Sequence, residues 1–102
     1  MPEWTSVARL ADVPDGQAIT VQVGKKRLAL ARADGTVYAI DDVCTHDGGP
    51  LGEGYVDGYD LECPRHGATF DVRTGRPTRL PAVAPVKTHR VRVEGDEIQV
   101  AV

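Results

Sequence analysis

The chain has 102 residues, a formal net charge of −3, 41% hydrophobic and 26% charged residues, which fits one globular domain with a small core. The acidic balance gives no sign of a nucleic-acid partner. No stretch approaches the roughly 18 apolar residues of a membrane helix.

From the N-terminus, MPEWTSVARLADVPDG has neither a basic region nor an apolar one of the kind a secretory leader carries, so a soluble, cytoplasmic protein is expected. Trp4 is expected to plug the core beneath a first strand. Ala18–Val23 alternates with period two and predicts a strand. Arg27–Arg32 is a short apolar run, and after the turn pair Asp34-Gly35 the stretch Val37–Ile40 is its hairpin mate. Tyr55-Val56 and Tyr59–Glu62 predict a smaller hairpin around Asp57-Gly58. Val91–Val93 and Ile98–Val102 predict a third around Gly95-Asp96. Helical signals are scarce. Short antiparallel strands at this spacing imply an all-β sandwich or barrel. Tyr38, Tyr55 and Tyr59 are expected to pack. His89, on the strand parity of Val91 and Val93, is expected to be a hydrogen-bonded or partly exposed strand residue.

Both cysteines and two of the three histidines fall in two clusters, Cys44-Thr45-His46 and Cys63-Pro64-Arg65-His66, with sixteen residues between His46 and Cys63. They lie outside the regular alternation, in Gly/Pro-rich segments where functional loops of a β scaffold are expected. A reducing setting argues against a disulfide, so metal binding is the better account of the cysteines. Two Cys and two His could hold one zinc ion tetrahedrally. Zinc fingers, however, group two cysteines and then two histidines, whereas each pair here mixes sulfur and nitrogen. That mixture suits a [2Fe–2S] cluster in which one iron takes both thiolates and the other both imidazoles.

C-T-H and, sixteen residues on, C-P-R-H-G resemble the Rieske motif, with Gly48, Gly49, Gly52, Gly54 and Gly67 nearby. The resemblance extends to the hairpins before the motif, to Phe70-Asp71 and Arg73-Thr74-Gly75, and to the Pro81–Pro85 stretch, so it covers nearly the whole chain and points to the small bacterial Rieske-type ferredoxins. It implies a single domain, 1–102: an antiparallel Rieske-type β-sandwich whose cluster-binding lobe, about 42–78, is inserted in a basal β domain. It implies that Cys44 and Cys63 ligate a buried iron and His46 and His66 an outer one, whose exposed imidazole edges are the route for electrons. It also implies that Pro81–Pro85 is a third loop over the cluster. High-potential respiratory relatives have a loop disulfide and the sequence H-G-S-x-Y after the second pair. Here there are no extra cysteines, and Ala68 and Phe70 replace the two hydroxyl residues, which implies a low-potential ferredoxin.

No acid/base pair, nucleophile elbow or phosphate loop accompanies the motif. The expectation is therefore a one-electron carrier and not an enzyme, with no small-molecule substrate of its own. The resemblance implies a flavin-dependent ferredoxin reductase and a terminal oxygenase as partners. The alternatives are a Rieske small subunit of a larger oxidoreductase such as nitrite reductase, and a zinc-stabilised interaction module. From Asp41 to Glu62 there are seven acids and no Lys or Arg, and from Arg65 to Arg92 seven Lys/Arg and one acid, Asp71. These runs are either solvated faces or an asymmetry that orients a docking partner. On the second view Arg65, between two ligands, weighs more than Lys25.

Overall fold

The computed structural model describes residues 4–43, 51–64, 67–80 and 84–101, and within them two antiparallel sheets. The larger holds β1 (Trp4–Arg9), β2 (Ala18–Val23), β3 (Lys26–Ala33), β4 (Thr36–Asp41), β9 (Thr88–Glu94) and β10 (Glu97–Ala101), in the order β1-β10-β9-β4-β3-β2. The smaller holds β5 (Tyr55–Asp57), β6 (Asp60–Glu62), β7 (Thr69–Asp71) and β8 (Pro77–Arg79), in sequence order. The segment between β4 and β9 thus builds a sheet of its own.

β3 is the wall between two cores. Side chains alternate across a strand, and here both faces are buried. Leu28 and Leu30 join Val13, Val37, Ala39, Ile98 and Val100 on one side. Ala29, Ala31 and Ala33 join Ile40, Leu51, Leu61, Cys63, Ala68, Phe70, Val72 and Val86 on the other. A strand buried on both faces reads as a continuous apolar run, which is what Leu28–Ala31 is. The alanines keep that face low, so the small sheet packs closely against it.

All three expected hairpins form. The second turns through Gly58-Tyr59, one residue later than expected, because Gly58 adopts φ +63° and Asp57 still pairs with Asp60. β7 and β8, of three residues each, were not expected: too short for a periodic pattern, they are held by β6 on one side and by each other. Two aromatic expectations fail. Trp4 is half-buried at the sheet edge, its ring covered by the Arg92 guanidinium at 4.5 Å, and it belongs to neither core. Tyr55 is 69% exposed. Tyr38 and Tyr59 do pack, meeting edge to face at 6.5 Å between centroids.

Tyr59 also latches the two sheets together. Its hydroxyl donates to Asp34 Oδ2 at 3.1 Å, in the β3–β4 turn. Arg73 stacks on its ring at 3.9 Å and grips Asp71 with Nε and Nη2 at 3.1 and 2.8 Å. The hydrogen bond from Arg73 holds the Asp71 carboxyl below its ordinary pKa of 3.8. The hydrogen bond to Asp34, with that residue's charge, holds the Tyr59 phenol above 10.0. A lowered carboxyl stabilises the fold above its unfolded pKa, and the contribution is lost as pH falls through the lowered value. A raised phenol stabilises below its unfolded pKa, and the contribution is lost as pH rises through the raised value. Urea midpoints measured against pH should therefore show Arg73→Gln less stable than wild type near neutrality, the gap closing in acid. The gap for Tyr59→Phe should close in alkali instead. A gap that ignores pH in both variants would show that neither contact is coupled to its proton.

Candidate metal centre

Of the four expected ligands, Cys63 is described; Cys44, His46 and His66 lie outside the described residues. Cys63 follows β6 directly and is fully buried in the second core, and no disulfide to it exists among the described residues. Its N–H donates to the Ala68 carbonyl at 2.7 Å, and its carbonyl accepts from the Gly67 N–H at 3.1 Å. These two bonds tie Cys63 to Gly67 and Ala68, and Gly67 takes φ +74°, a region that favours glycine. A water-excluded thiol thus stands three residues before His66 in the chain. Ala68 and Phe70, the positions without hydroxyls, are both fully buried beside it in the same core.

The base of the first cluster's segment is also built from described residues. The chain leaves β4 through Asp42 and Val43 and returns in a 3-10 turn, Leu51–Glu53. The Asp42 side chain is completely buried, and its Oδ1 accepts the Gly52 N–H at 2.6 Å. Oδ2 accepts the Thr20 hydroxyl at 3.1 Å and lies 3.3 Å from Arg27 Nη2. A Cβ at Gly52 would overlap Thr20, and one at Gly54 would overlap the Glu62 carbonyl oxygen. Both glycines are therefore close-approach positions, one against β2 and one against the residue before Cys63. Sequence reasoning noted these glycines but missed Asp42, whose only signal was an acid two residues before Cys44.

The third segment falls partly outside the described residues, at 81–83. Its return is stitched to the small sheet's last turn by the Val86 N–H on the Gly75 carbonyl at 2.9 Å. His89 behaves as expected for a structural histidine: its side chain is 4% exposed and Nε2 lies 2.7 Å from Asp41 Oδ1, joining β9 to β4.

Some charges of the two runs are engaged within the chain, while the described cations of the basic run, Arg73, Arg76, Arg79, Lys87, Arg90 and Arg92, are all exposed. Asp41 faces His89, Asp42 is buried, and Glu62 pairs with Arg79 at 3.3 Å, one member from each run. Among the described residues, Lys25, Lys26 and Arg27 are exposed and share a groove with Asp41, Asp42 and Val43, which lead into the first segment. Arg65, set against Lys25 in the sequence, lies outside the described residues.

This arrangement matches known proteins along nearly its whole length. The model of the Rieske [2Fe-2S] domain matches residues 3–90. The ferredoxin component of the naphthalene 1,2-dioxygenase system of Pseudomonas aeruginosa is 36% identical over 98 residues, 96% of this chain and 94% of that one. The ferredoxin of carbazole 1,9a-dioxygenase from Nocardioides aromaticivorans IC177 superposes with a TM-score of 0.90 at 38% identity, covering 96% of both chains. A complex of reduced oxygenase and oxidized ferredoxin in carbazole 1,9a-dioxygenase contains a chain with a TM-score of 0.88 and 38% identity, covering 96% of this chain and 92% of that one. The chain belongs to the Rieske [2Fe–2S] family. It is an electron carrier of the ferredoxin type, with a Rieske [2Fe–2S] cluster as its cofactor, and not itself a catalyst.

The described residues fit that cofactor. Thiolate is the donor iron–sulfur clusters take, and Cys63 offers one from a dry apolar floor, unengaged in any disulfide among the described residues. A new donor at that floor should favour the reduced, more negative form. A hydrogen bond to a charged group contributes about 1.5–3 kcal/mol, and only the part that differs between redox states counts. One electron across 100 mV corresponds to about 2.3 kcal/mol. Ala68→Ser and Phe70→Tyr should each raise the reduction potential by some tens of millivolts, read by protein-film voltammetry. A lowered potential in both would remove this account of the two positions.

Proposed function

We propose that this chain is the ferredoxin of a multicomponent oxygenase, taking one electron at a time from a flavin-dependent reductase and passing it to a terminal oxygenase. Cys44 and Cys63 hold the inner iron and His46 and His66 the outer one. When bound, the cluster supplies a one-electron couple. The segment 42–78 is the cluster-binding lobe and the strands flanking it are the base. The observation that carries this reading is the buried Cys63 thiol, bonded through its backbone to Gly67 and Ala68, with His66 three residues on in the chain and sixteen residues back to the first pair. Its relatives' role as ferredoxin components supports it, as does the oxygenase–ferredoxin complex of the carbazole system.

The second core's work is to keep water from the sulfur side, while the turns present the histidine side. With no hydroxyl donors at Ala68 and Phe70, the potential belongs at the low end of the Rieske range, roughly −150 mV on a scale reaching about +300 mV. Among the described residues no helix is long and apolar enough to cross a membrane. A carrier working beside a flavoprotein reductase belongs in the cytoplasm.

Ligand identity is tested by substitution. Cys44→Ser or Cys63→Ser should give a colourless protein with no EPR signal on reduction. His46→Cys and His66→Cys should retain a cluster with a spectrum shifted toward the all-cysteine type. A His46→Ala variant with unchanged absorption and EPR spectra would sink the assignment.

Docking is tested by salt. If exposed cations steer an acidic partner, electron transfer from the reductase should slow as ionic strength rises, through encounter rate. Lys25→Gln together with Lys26→Gln should slow it more than Arg9→Gln, which lies beside Asp96 at the opposite end of the large sheet. Equal effects would return these lysines to the role of solvated surface.

A further inference from the structure

We propose that Asp42 is a positioning residue for the metal centre, closing the base of the first ligand-bearing segment and fixing the spacing between the two ligand pairs. The inference rests on the ligand assignment above. A buried carboxylate is costly unless it is bonded on all sides, and Asp42 is. Its two oxygens take three groups: the Gly52 N–H at 2.6 Å, the Thr20 hydroxyl at 3.1 Å and the Arg27 guanidinium at 3.3 Å. Its own N–H donates to the Arg27 carbonyl at 3.1 Å. The Gly52 bond joins the residue before Val43 to the 3-10 turn where the chain returns, so it turns the intervening segment into a closed ring. The other two bonds fasten that ring to β2 and β3.

The ring is then indexed to the second ligand pair. Gly52 lies so close to β2 that no Cβ fits, and Gly54 lies equally close to the Glu62 carbonyl, one residue before Cys63. A continuous set of contacts thus runs from Asp42 through Gly52 and Gly54 to Cys63. Only a side chain with two acceptor oxygens can hold the Gly52 N–H and the Thr20–Arg27 side together. Asparagine keeps one acceptor for Gly52 and presents an amide to the others.

The test compares cluster-loaded wild type with Asp42→Ala, Asp42→Asn and, as a control for stability alone, Tyr59→Phe at the β5–β6 turn. The readouts are the rate of bleaching by excess chelator at neutral pH, the EPR line shape after reduction, and Tm. Groups that support ligands from behind typically change metal retention 10–100-fold, so Asp42→Ala should bleach about tenfold faster. Its EPR lines should broaden, and Asp42→Asn, which keeps the Gly52 acceptor alone, should restore only part of both. Tyr59→Phe should lower Tm without moving either. If Asp42→Ala bleaches at the wild-type rate with an unchanged EPR line shape, or no faster than Tyr59→Phe for the same loss of Tm, the positioning role is wrong. Should Asp42→Ala yield no loaded protein, the double variant Thr20→Val/Arg27→Gln takes its place. It keeps the Gly52 acceptor and removes the outer tethers, so intermediate bleaching supports the proposal and the wild-type rate overturns it. A wild type that itself shows no Rieske EPR signal would sink the ligand assignment instead.

Discussion

The two-sided burial of β3 is the constraint on which the rest of the molecule depends. Leu28 and Leu30 face one core and Ala29, Ala31 and Ala33 the other. Burying a leucine side chain contributes about 1.5–3 kcal/mol, so the leucine face holds the large sheet around its interior. The alanine face contributes less per residue, but its low relief lets a second sheet approach closely enough to share a core. Bulkier residues there would meet Phe70 and Leu61 and force the sheets apart, and overpacking of that kind costs about 1–3 kcal/mol.

The site inherits its character from that shared core. Cys63 is at once a core residue and the expected sulfur ligand, so the wall that excludes water from the fold also excludes it from the metal's inner side. Ligation and folding are coupled for the same reason, since a chain of this size gains a sizeable part of its stability from any centre that ties two segments. The opposite end of the small sheet has no such tie, and there the Asp34–Tyr59–Arg73–Asp71 contacts fasten the sheets together by exposed polar groups.

Charge plays two parts that the sequence runs together. Asp41, Asp42, Glu62, Asp71, Arg73 and Arg79 make pairs within the chain that fix strands and turns, with Asp42 buried and the Arg79–Glu62 pair at the surface. Lys25 and Lys26 stay exposed in a groove shared with Asp41, Asp42 and Val43. On the proposed function the chain meets two partners in turn, and steering that raises encounter without prolonging the complex suits that role; exposed lysines supply that kind of interaction.

By itself the sequence determined the all-β class, the three hairpins and the two mixed Cys/His pairs, because each is a local signal: period-two alternation, a turn residue at a fixed offset, or ligand spacing. It also marked His89 as structural. What it left undecided was where local patterns meet. The three-residue strands β7 and β8 exist only because neighbours complete their hydrogen bonds. Trp4 and Tyr55 have large, mainly apolar rings, but their exposure depends on what covers them in the packed sheets. Lys25 is 18 residues before Val43 in the chain and yet lines the same groove, since the β2–β3 turn and the end of β4 share one end of the sheet. Asp42 is one of seven acids in a run until tertiary contacts bury it. Its partners Thr20, Arg27 and Gly52 come from three separate elements, and only the packed sheets bring four such residues within hydrogen-bond reach.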